Sequence, residues 1–156
     1  MHLDEFDRIL LHEMQGNSRQ TTEQLASKVG LSASAVQRRL KRLRESRVIE
    51  NEIAILSTSA VGEFLAIVVE IEFEQENMRL IQQFKELMKS RNEVTQCYQT
   101  AGRTDFILVV VVRDINEYNA FAKECFLQNK HLKRYQTNVV LDHVKVGLQL
   151  PIKPKD

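Results

Sequence analysis

The chain has 156 residues, enough to bury a core as one domain or as two small ones. With 43% hydrophobic and 28% charged residues and few glycines and prolines, its composition excludes the disordered and fibrous classes and predicts a globular protein. The longest apolar run, residues 106–112, is far too short to span a membrane, so we expect no membrane partner. The acidic N-terminal segment lacks the apolar stretch of a secretory signal. Since Cys97 and Cys125 are isolated, we expect a reduced, cytoplasmic protein without disulfides.

Positive charge is concentrated in one short stretch of the sequence. Residues 1–30 carry three basic and five acidic residues, a sum of −2. Residues 31–50 carry six basic and two acidic residues, a sum of +4, whereas the remaining 106 residues carry 13 basic and 14 acidic residues, a sum of −1. A focused basic patch on a chain of net charge +1 is typical of a surface that neutralises phosphate groups.

The first predicted helix begins after Asp4 and ends near Gly16. Its acidic first turn suits the positive end of a helix dipole. One face carries apolar side chains at positions i, i+4 and i+8, namely Phe6, Leu10 and Met14.

Two further helices are predicted, joined by a turn of only three residues. Thr21 and Gln24 form a capping box at the start of the second helix, and Gly30 is its left-handed terminator. Ser32 caps the third helix. The third helix carries its apolar side chains on one face: Val36, Leu40 and Leu43. A short, glycine-containing turn between two helices is typical of a helix-turn-helix, so we predict an N-terminal winged-helix-like helix-turn-helix domain.

The hydrophobic pattern changes after the third helix. Residues 48–56 predict a strand, and residues 57–62 predict a linker. From there the predicted order is strand, helix, strand, strand, helix, strand. The apolar run at 106–112 predicts a central strand covered on both faces, and residues 135–148 predict the last strand.

A βαββαβ order predicts the ferredoxin-like arrangement, an antiparallel four-stranded sheet with both helices on one side, so the fold class is α+β. The uncovered sheet face must pack against another surface, and because a second copy is the simplest candidate we expect a homodimer. The predicted domains are 1–50 for the helix-turn-helix, 51–62 for a strand and linker, 63–150 for the ferredoxin-like domain and 151–156 for a tail.

Two blocks of sequence form a specific combination. The first is Gly30-Leu31-Ser32-x-Ser34-x-Val36-x-Arg38-Arg39-Leu40-x-x-Leu43, followed by Val48-Ile49. The second is Glu93-Val94-x-x-Cys97-Tyr98-x-x-x-Gly102-x-x-Asp105-Phe106-x-Leu108. The chain thereby resembles the Lrp/AsnC (feast/famine) family of transcriptional regulators over nearly its whole length. The resemblance implies a DNA-binding helix-turn-helix domain and a ferredoxin-like domain that dimerises, assembles further, often to octamers, and senses amino acids.

The sequence departs from that family at two points. The family often has a glycine just before the Val-Ile pair, where this chain has Ser46 and Arg47. A non-glycine residue there must take a strained turn or a different one, so we expect an altered exit from the third helix. The aromatic residue that often follows the family's first strand is replaced by Glu52 or Ile53.

A third helix that enters the major groove presents its exposed face to double-stranded DNA. Gln37 suits a bidentate contact to adenine and Arg38 one to guanine, whereas Lys41 and Arg42 suit phosphates. For an isolated amphipathic helix, a solvated basic face would be the favoured alternative. The predicted DNA-contacting residues are Thr22, Ser32, Ser34, Gln37, Arg38, Arg39, Lys41 and Arg42.

Residues 100–105 have the chemistry that an amino-acid ligand needs. Gly102 lets backbone N–H groups approach a carboxylate, and Asp105 can accept from an α-ammonium group. From the residues alone, a tight hairpin in which Asp105 bonds its own turn is the favoured interpretation. The family resemblance implies instead an effector site at the contact between dimers. The predicted effector-binding residues are Thr100, Ala101, Gly102, Arg103, Thr104, Asp105 and Thr137.

Two other functions stay open as alternatives. Haem-biosynthesis decarboxylases are similar to the family in fold, but the four histidines here are scattered without metal-binding spacing. We therefore expect a regulator and not an enzyme, with no catalytic residues, metal or cofactor. The second alternative is an architectural DNA-binding regulator that needs no effector. Redox sensing is disfavoured because Cys97 and Cys125 are both predicted to be buried.

Overall fold

A computed structural model describes residues 2–75 and 77–152, apart from the side chains of residues 58 and 59. Its contacts divide the chain into two compact units. Residues 2–55 and 145–152 belong to a helical unit, and residues 56–144 form a sheet unit. Residues 145–150, assigned by the sequence pattern to the second domain, therefore group with the helical unit. Of the predicted tail, residues 153–156 lie outside the described part.

The helical unit contains three helices that begin at the positions predicted from the sequence. Asp4, Thr21 and Ser32 each accept a hydrogen bond from a backbone N–H in the first turn. The second helix ends at Gly30, whose φ of 74° is the left-handed conformation predicted for its terminator. The bounds are Glu5–Gly16 for α1, Thr22–Val29 for α2 and Ala33–Glu45 for α3.

A small apolar core joins the three helices. Leu43 is fully buried together with the other two predicted apolar residues of α3, so the predicted seam of that helix is confirmed. Phe6, predicted on the buried face of α1, is instead 39% exposed. Its ring lies beneath the guanidinium of Arg39, 5.4 Å from the centroid. The remaining core side chains are Leu10, Met14, Leu25, Ala26, Val29, Val36 and Leu40.

The segment after α3 is irregular. The strand predicted at residues 48–56 is wrong for the described chain, and Ile53 and Ile55 are 69% and 90% exposed. A strand needs a neighbouring strand for its backbone hydrogen bonds, and the described residues supply none here. The predicted linker contains a short helix, α4, at Thr58–Val61.

The C-terminal segment of the helical unit is attached to the end of α1. The side-chain amide of Gln15 donates to the carbonyl oxygen of Leu150 at 3.1 Å and accepts from its N–H at 2.7 Å. The side chain of Gln149 donates to the backbone oxygen of Gln15 at 2.9 Å. One glutamine therefore satisfies both backbone groups of Leu150, as a neighbouring strand would.

The sheet unit has the predicted βαββαβ order, with an antiparallel sheet in the order β2-β3-β1-β4. The predicted α+β, ferredoxin-like arrangement is confirmed. No helix in the described ranges is long and apolar enough to cross a membrane. The bounds are β1 Leu65–Phe73, α5 Met78–Ser90, β2 Val94–Gln99, β3 Phe106–Val112, α6 Ile115–Ala122, continued by a π-helical turn Lys123–Leu127, and β4 Leu132–Val139.

Within the described residues of the sheet unit, helices cover only one face of the sheet. Phe84 of α5 packs between Phe73 and Phe106, with ring centroids 5.4 and 4.9 Å apart. Along β3, fully buried residues alternate with half-buried ones. The prediction that β3 is covered on both faces is therefore wrong for the single chain, because both helices lie on the same side.

Two further predictions fail at the edges of the sheet. The last strand, predicted at residues 135–148, ends at Val139, and Leu141 is 96% exposed. The N–H of Val140 donates to the oxygen of Ala66, near the start of β1, so β1 offers little backbone for further pairing. Cys97, predicted to be buried, is exposed because β2 is an edge strand, whereas Cys125 is buried.

Candidate nucleic-acid interface and effector turn

The outer face of α3 is a row of exposed polar side chains. Gln37, Arg38 and Lys41 are all exposed, and Ser34 lies one turn before them. Helical periodicity places these positions opposite the buried seam of α3. The packing that buries the seam therefore turns this row outward, where a helix can meet the base edges of a groove.

A buried carboxylate fixes the inner side of the same helix. Asp7 of α1 is 0% exposed and accepts hydrogen bonds from the guanidinium groups of Arg39, at 2.8 Å, and of Arg42. Arg39 also bonds both oxygens of Asp4, at 2.9 and 2.7 Å. Sequence reasoning placed Arg39 and Arg42 among the DNA contacts. The structure places the Arg39 head group against α1, and the Arg42 side chain, 47% exposed, between Asp7 and solvent.

The six basic residues at positions 31–50 fall into two groups. Within the described part of the chain, the side chains of Arg38 and Arg47 have no carboxylate partner. This distinction separates cations that the fold uses from cations that it leaves available. The paired ones are Arg39 with Asp4 and Asp7, Arg42 with Asp7, Arg44 with Glu52, and Lys41 with Glu45 in a loose 3.8 Å pair.

The predicted hydroxyl contacts lie near the starts of α2 and α3. The Ser32 oxygen accepts from the N–H of Ala35 at 3.2 Å and lies 3.1 Å from the hydroxyl of Ser34. The hydroxyl of Thr22, which is half-buried, donates to Glu23 at 3.3 Å. Ser32 is therefore used as a cap, whereas Ser34 is exposed beside it.

The exit from α3 contains the strained turn expected from the sequence. Arg47 has a φ of 55°, and among the described residues no other non-glycine residue has a positive φ. The N–H of Val48 donates to the oxygen of Leu43 at 2.9 Å, which closes the helix end. Arg47 thus occupies a position where glycine is normally favoured.

Residues 100–105 form a closed turn between β2 and β3. The N–H of Thr100 donates to the oxygen of Asp105 at 2.9 Å, and the Thr100 hydroxyl donates to the oxygen of Thr104. A carboxylate oxygen of Asp105 accepts from the N–H of Phe73 at 2.7 Å. Asp105 therefore ties the turn to the end of β1 through its side chain, whereas the hairpin interpretation of the sequence had this side chain bonding its own turn.

Gly102 is not required by the internal structure of this turn. Its φ lies outside the left-handed region, and a Cβ atom there would meet no described atom within 4 Å. Ala101 and Arg103 beside it are exposed. The missing side chain therefore matters only to a molecule that approaches from outside.

The turn borders a shallow, charged depression on the open face of the sheet. It lies beside the predicted Arg103 and Thr104 and combines both signs of charge. Sequence reasoning missed its strand residues, although their alternation along the strands was the available signal. These are Glu70, Glu72, Arg134 and Gln136.

Thr137 lies apart from this depression. Its hydroxyl is 2.6 Å from that of Tyr118 on α6, so it faces the helices. Gln136, the preceding residue, lines the depression on the opposite face. The structure therefore does not bring Thr137 and the turn residues to one site within a chain.

Among the described residues, no cluster of three or more candidate metal ligands occurs.

Comparisons with known proteins match both units. A model of the AsnC-type helix-turn-helix domain matches residues 3–44, and a model of the Lrp/AsnC ligand binding domain matches residues 66–150. An uncharacterized helix-turn-helix-type transcriptional regulator of Sinorhizobium fredii is 42% identical over 153 residues, 98% of this chain and 90% of that protein.

Two solved structures are similar to the chain over most of their length. An AsnC family transcriptional regulator from Agrobacterium tumefaciens has a TM-score of 0.86 at 29% identity, covering 95% of this chain and 96% of that one. A transcriptional regulator from Neisseria meningitidis in complex with L-methionine has a TM-score of 0.86 at 27% identity, covering 96% and 97%.

The Asp4 carboxylate should make the stability of the helical unit depend on pH. Hydrogen bonds from the Asp7 backbone and from Arg39 lower the pKa of Asp4 below its ordinary value of 3.8. At pH values above the ordinary pKa, a carboxylate whose pKa is lowered by folding stabilises the folded chain. This stabilisation is lost as the pH falls through the folded-state pKa. We expect Asp4→Asn, which can still cap the helix, to lower the free energy of unfolding by up to about 1 kcal/mol at neutral pH, after solvent screening.

The measurement is urea denaturation at several pH values between neutral and acid. The difference between wild type and Asp4→Asn should shrink as the pH falls below 3.8. In an Arg39→Met background, the loss of unfolding free energy caused by Asp4→Asn should be smaller at neutral pH. A difference that stays the same at every pH would contradict the assigned role of this carboxylate.

Proposed function

Because the chain belongs to the Lrp/AsnC family of transcriptional regulators, we propose that it binds specific sites on double-stranded DNA and that a small amino acid modulates this binding. The observation that carries the proposal is the exposed row of Gln37, Arg38 and Lys41 on a helix held from behind by an apolar seam and a buried carboxylate. Such a helix can enter a major groove without rearranging its own domain.

The proposed contacts divide by side-chain chemistry. Gln37 bonds an adenine edge and Arg38, which has no carboxylate partner among the described residues, bonds a guanine edge. Lys41 and the outward part of Arg42 bind phosphates. Arg39 is proposed to orient α3 against α1 instead of touching DNA, because Asp4 and Asp7 already occupy its guanidinium.

The hydroxyl residues have a supporting role in this proposal. Ser34 is exposed at the start of α3, where its hydroxyl and nearby backbone N–H groups suit a phosphate oxygen. Thr22 is the first residue of α2 and lies near the N–H groups at the start of that helix. Ser32 contributes through the helix start that it caps.

An amino-acid effector is proposed to bind at the turn of residues 100–105. The open space at Gly102 lets a ligand carboxylate approach the backbone, and Arg103 can pair with that carboxylate. One carboxylate oxygen of Asp105 accepts a hydrogen bond from the N–H of Phe73. The other oxygen is the acceptor proposed for the α-ammonium group. Thr137 faces away from this turn, so a site that uses both draws them from different copies of the chain.

Assembly is proposed to start at the open face of the sheet. Val68 and Val109 are register partners in the middle of that face and are only half-buried. A second copy is the proposed cover, giving a homodimer that assembles further, as octamers do in the family. Effector occupancy would then couple to DNA binding through assembly. A DNA-bound regulator of this kind acts in the cytoplasm.

The contacts on DNA can be separated by two substitutions. Arg38→Ala should weaken binding by about 1–3 kcal/mol and relax the preference at one base position, because it removes a base contact. Lys41→Ala should weaken binding to all sequences alike and reduce the slope of log K against log salt, because it removes a phosphate contact. Titrations by fluorescence anisotropy use a duplex selected from a random-sequence library and an unrelated duplex. Equal wild-type affinity for both duplexes at every salt concentration would sink the proposal of specific binding.

Effector binding has a direct thermal test. An amino acid that binds the folded state at a concentration well above its Kd should raise the Tm of wild type by about 2–4 °C for each kcal/mol of linkage. Asp105→Asn is the matched variant, since it keeps an oxygen for the Phe73 N–H but removes the charge, and it should show no shift. If none of the twenty amino acids shifts the wild type, the chain is an effector-independent architectural regulator.

The dimer is tested by placing a charge on the open sheet face. Val109→Asp should convert dimers to monomers in sedimentation velocity, because a buried unpaired charge opposes association. Ile115→Asp, at an exposed position on α6, is the matched control and should leave the assembly unchanged. A Val109→Asp protein that sediments like wild type would show that this face does not join the copies.

A further inference from the structure

We propose that Arg47 is an additional DNA contact, a cation at the exit of α3 that binds a backbone phosphate beside the groove. The inference rests on the proposed DNA binding, and neither sequence reasoning nor the comparisons assign Arg47 a contact. Its chemistry is that of a guanidinium on a phosphodiester, a charge-assisted and geometrically matched pair.

The first argument is the conformation of Arg47. Its φ of 55° is disfavoured for every residue with a Cβ atom and is normally taken by glycine, with asparagine as the next choice. Arginine has no local advantage in this conformation. A residue that strains the backbone where glycine would relieve it is better explained by its side chain than by its backbone.

The second argument is the absence of an internal use for that side chain. Among the described residues, Arg47 is exposed and has no ion pair, unlike its neighbours Arg42 and Arg44. The fold therefore gains no ion pair from its charge. Of the basic residues at positions 31–50, only Arg38, the proposed base contact, likewise has no ion pair with a described residue.

The third argument is that the exit is held in place. The N–H of Arg47 donates to the oxygen of Arg44 at 3.0 Å, and the N–H groups of Val48 and Ile49 both donate to Leu43, at 2.9 and 3.1 Å. On either side of Arg47 in the sequence, Arg44 and Glu52 form a bidentate pair with both distances 3.0 Å. The backbone that carries Arg47 is thus ordered before any ligand binds, which lowers the entropy lost on contact.

The position of Arg47 just beyond the end of α3 suits a phosphate and not a base. The helix rises about 10 Å from Arg38 to its last residue, Glu45, and Arg47 lies two residues beyond. The major groove is about 12 Å wide. If Arg38 meets base edges inside the groove, a residue just beyond the end of α3 is near the edge of the groove, where the phosphates lie.

The test is the substitution Arg47→Gly, for which the conformational and DNA-binding roles predict effects in opposite directions. The Tm should stay level or rise by up to about 4 °C, because glycine relieves the strained turn. Affinity for duplex DNA should fall about tenfold for a selected and an unrelated duplex alike, the size of one charge-assisted hydrogen bond. The slope of log K against log salt should decrease in magnitude by about 0.9, the value for one phosphate contact.

Two further variants serve as controls. Arg47→Lys keeps the charge and should retain most of the salt slope. Arg79→Gln removes an exposed cation from α5 of the sheet unit and should change neither the slope nor the affinity.

The outcomes distinguish the inference from the function on which it rests. If wild type binds DNA and Arg47→Gly keeps its affinity and slope, the inference is overturned while the proposed function stands. If Arg47→Gly loses binding together with a fall in Tm, Arg47 has a structural role and the inference is again overturned. If wild type binds neither duplex at any salt concentration, the proposed function itself fails.

Discussion

The helical unit depends on one buried carboxylate. Asp7 is fully buried on α1, and the burial of an isolated charge would cost several kcal/mol. Arg39 and Arg42 of α3 offset that cost by hydrogen-bonding to Asp7 from the other helix, with Arg39 also bound to Asp4. The pairing fixes the rotation of α3 about its own axis. Basic side chains of one short stretch therefore divide between those that orient the helix and those that are free to meet a polyanion.

The sheet unit is governed by a different constraint, the sidedness of its strands. Both helices cover one face, so the central strands β1 and β3 send alternate residues into a core or onto an open surface. Thr137 and Gln136 are adjacent in sequence yet lie on opposite sides. The same rule places Glu70 and Arg134 near the turn that carries Gly102. Side-chain parity thus decides which polar groups a ligand can meet together.

Features set by local chemistry could be predicted from the sequence, and features set by distant partners could not. The Thr21 capping box and the Gly30 terminator depend on a few consecutive residues, and both were predicted. Residues 48–56 were predicted as a strand from composition, but a strand exists only where another segment supplies hydrogen bonds. The role of Arg39 was missed because its partner Asp7 lies 32 positions away.

The exposed apolar residues of the irregular segments affect the chain during its synthesis. Ile55, Leu141 and Val144 are each about nine-tenths exposed on backbone that is neither helix nor strand. Segments with unpaired backbone and uncovered apolar side chains associate readily with similar segments of other chains. Such association is how aggregation begins. A chain that buries these residues quickly by assembling avoids aggregation. The yield of soluble protein therefore depends on the relative rates of assembly and misassociation during synthesis.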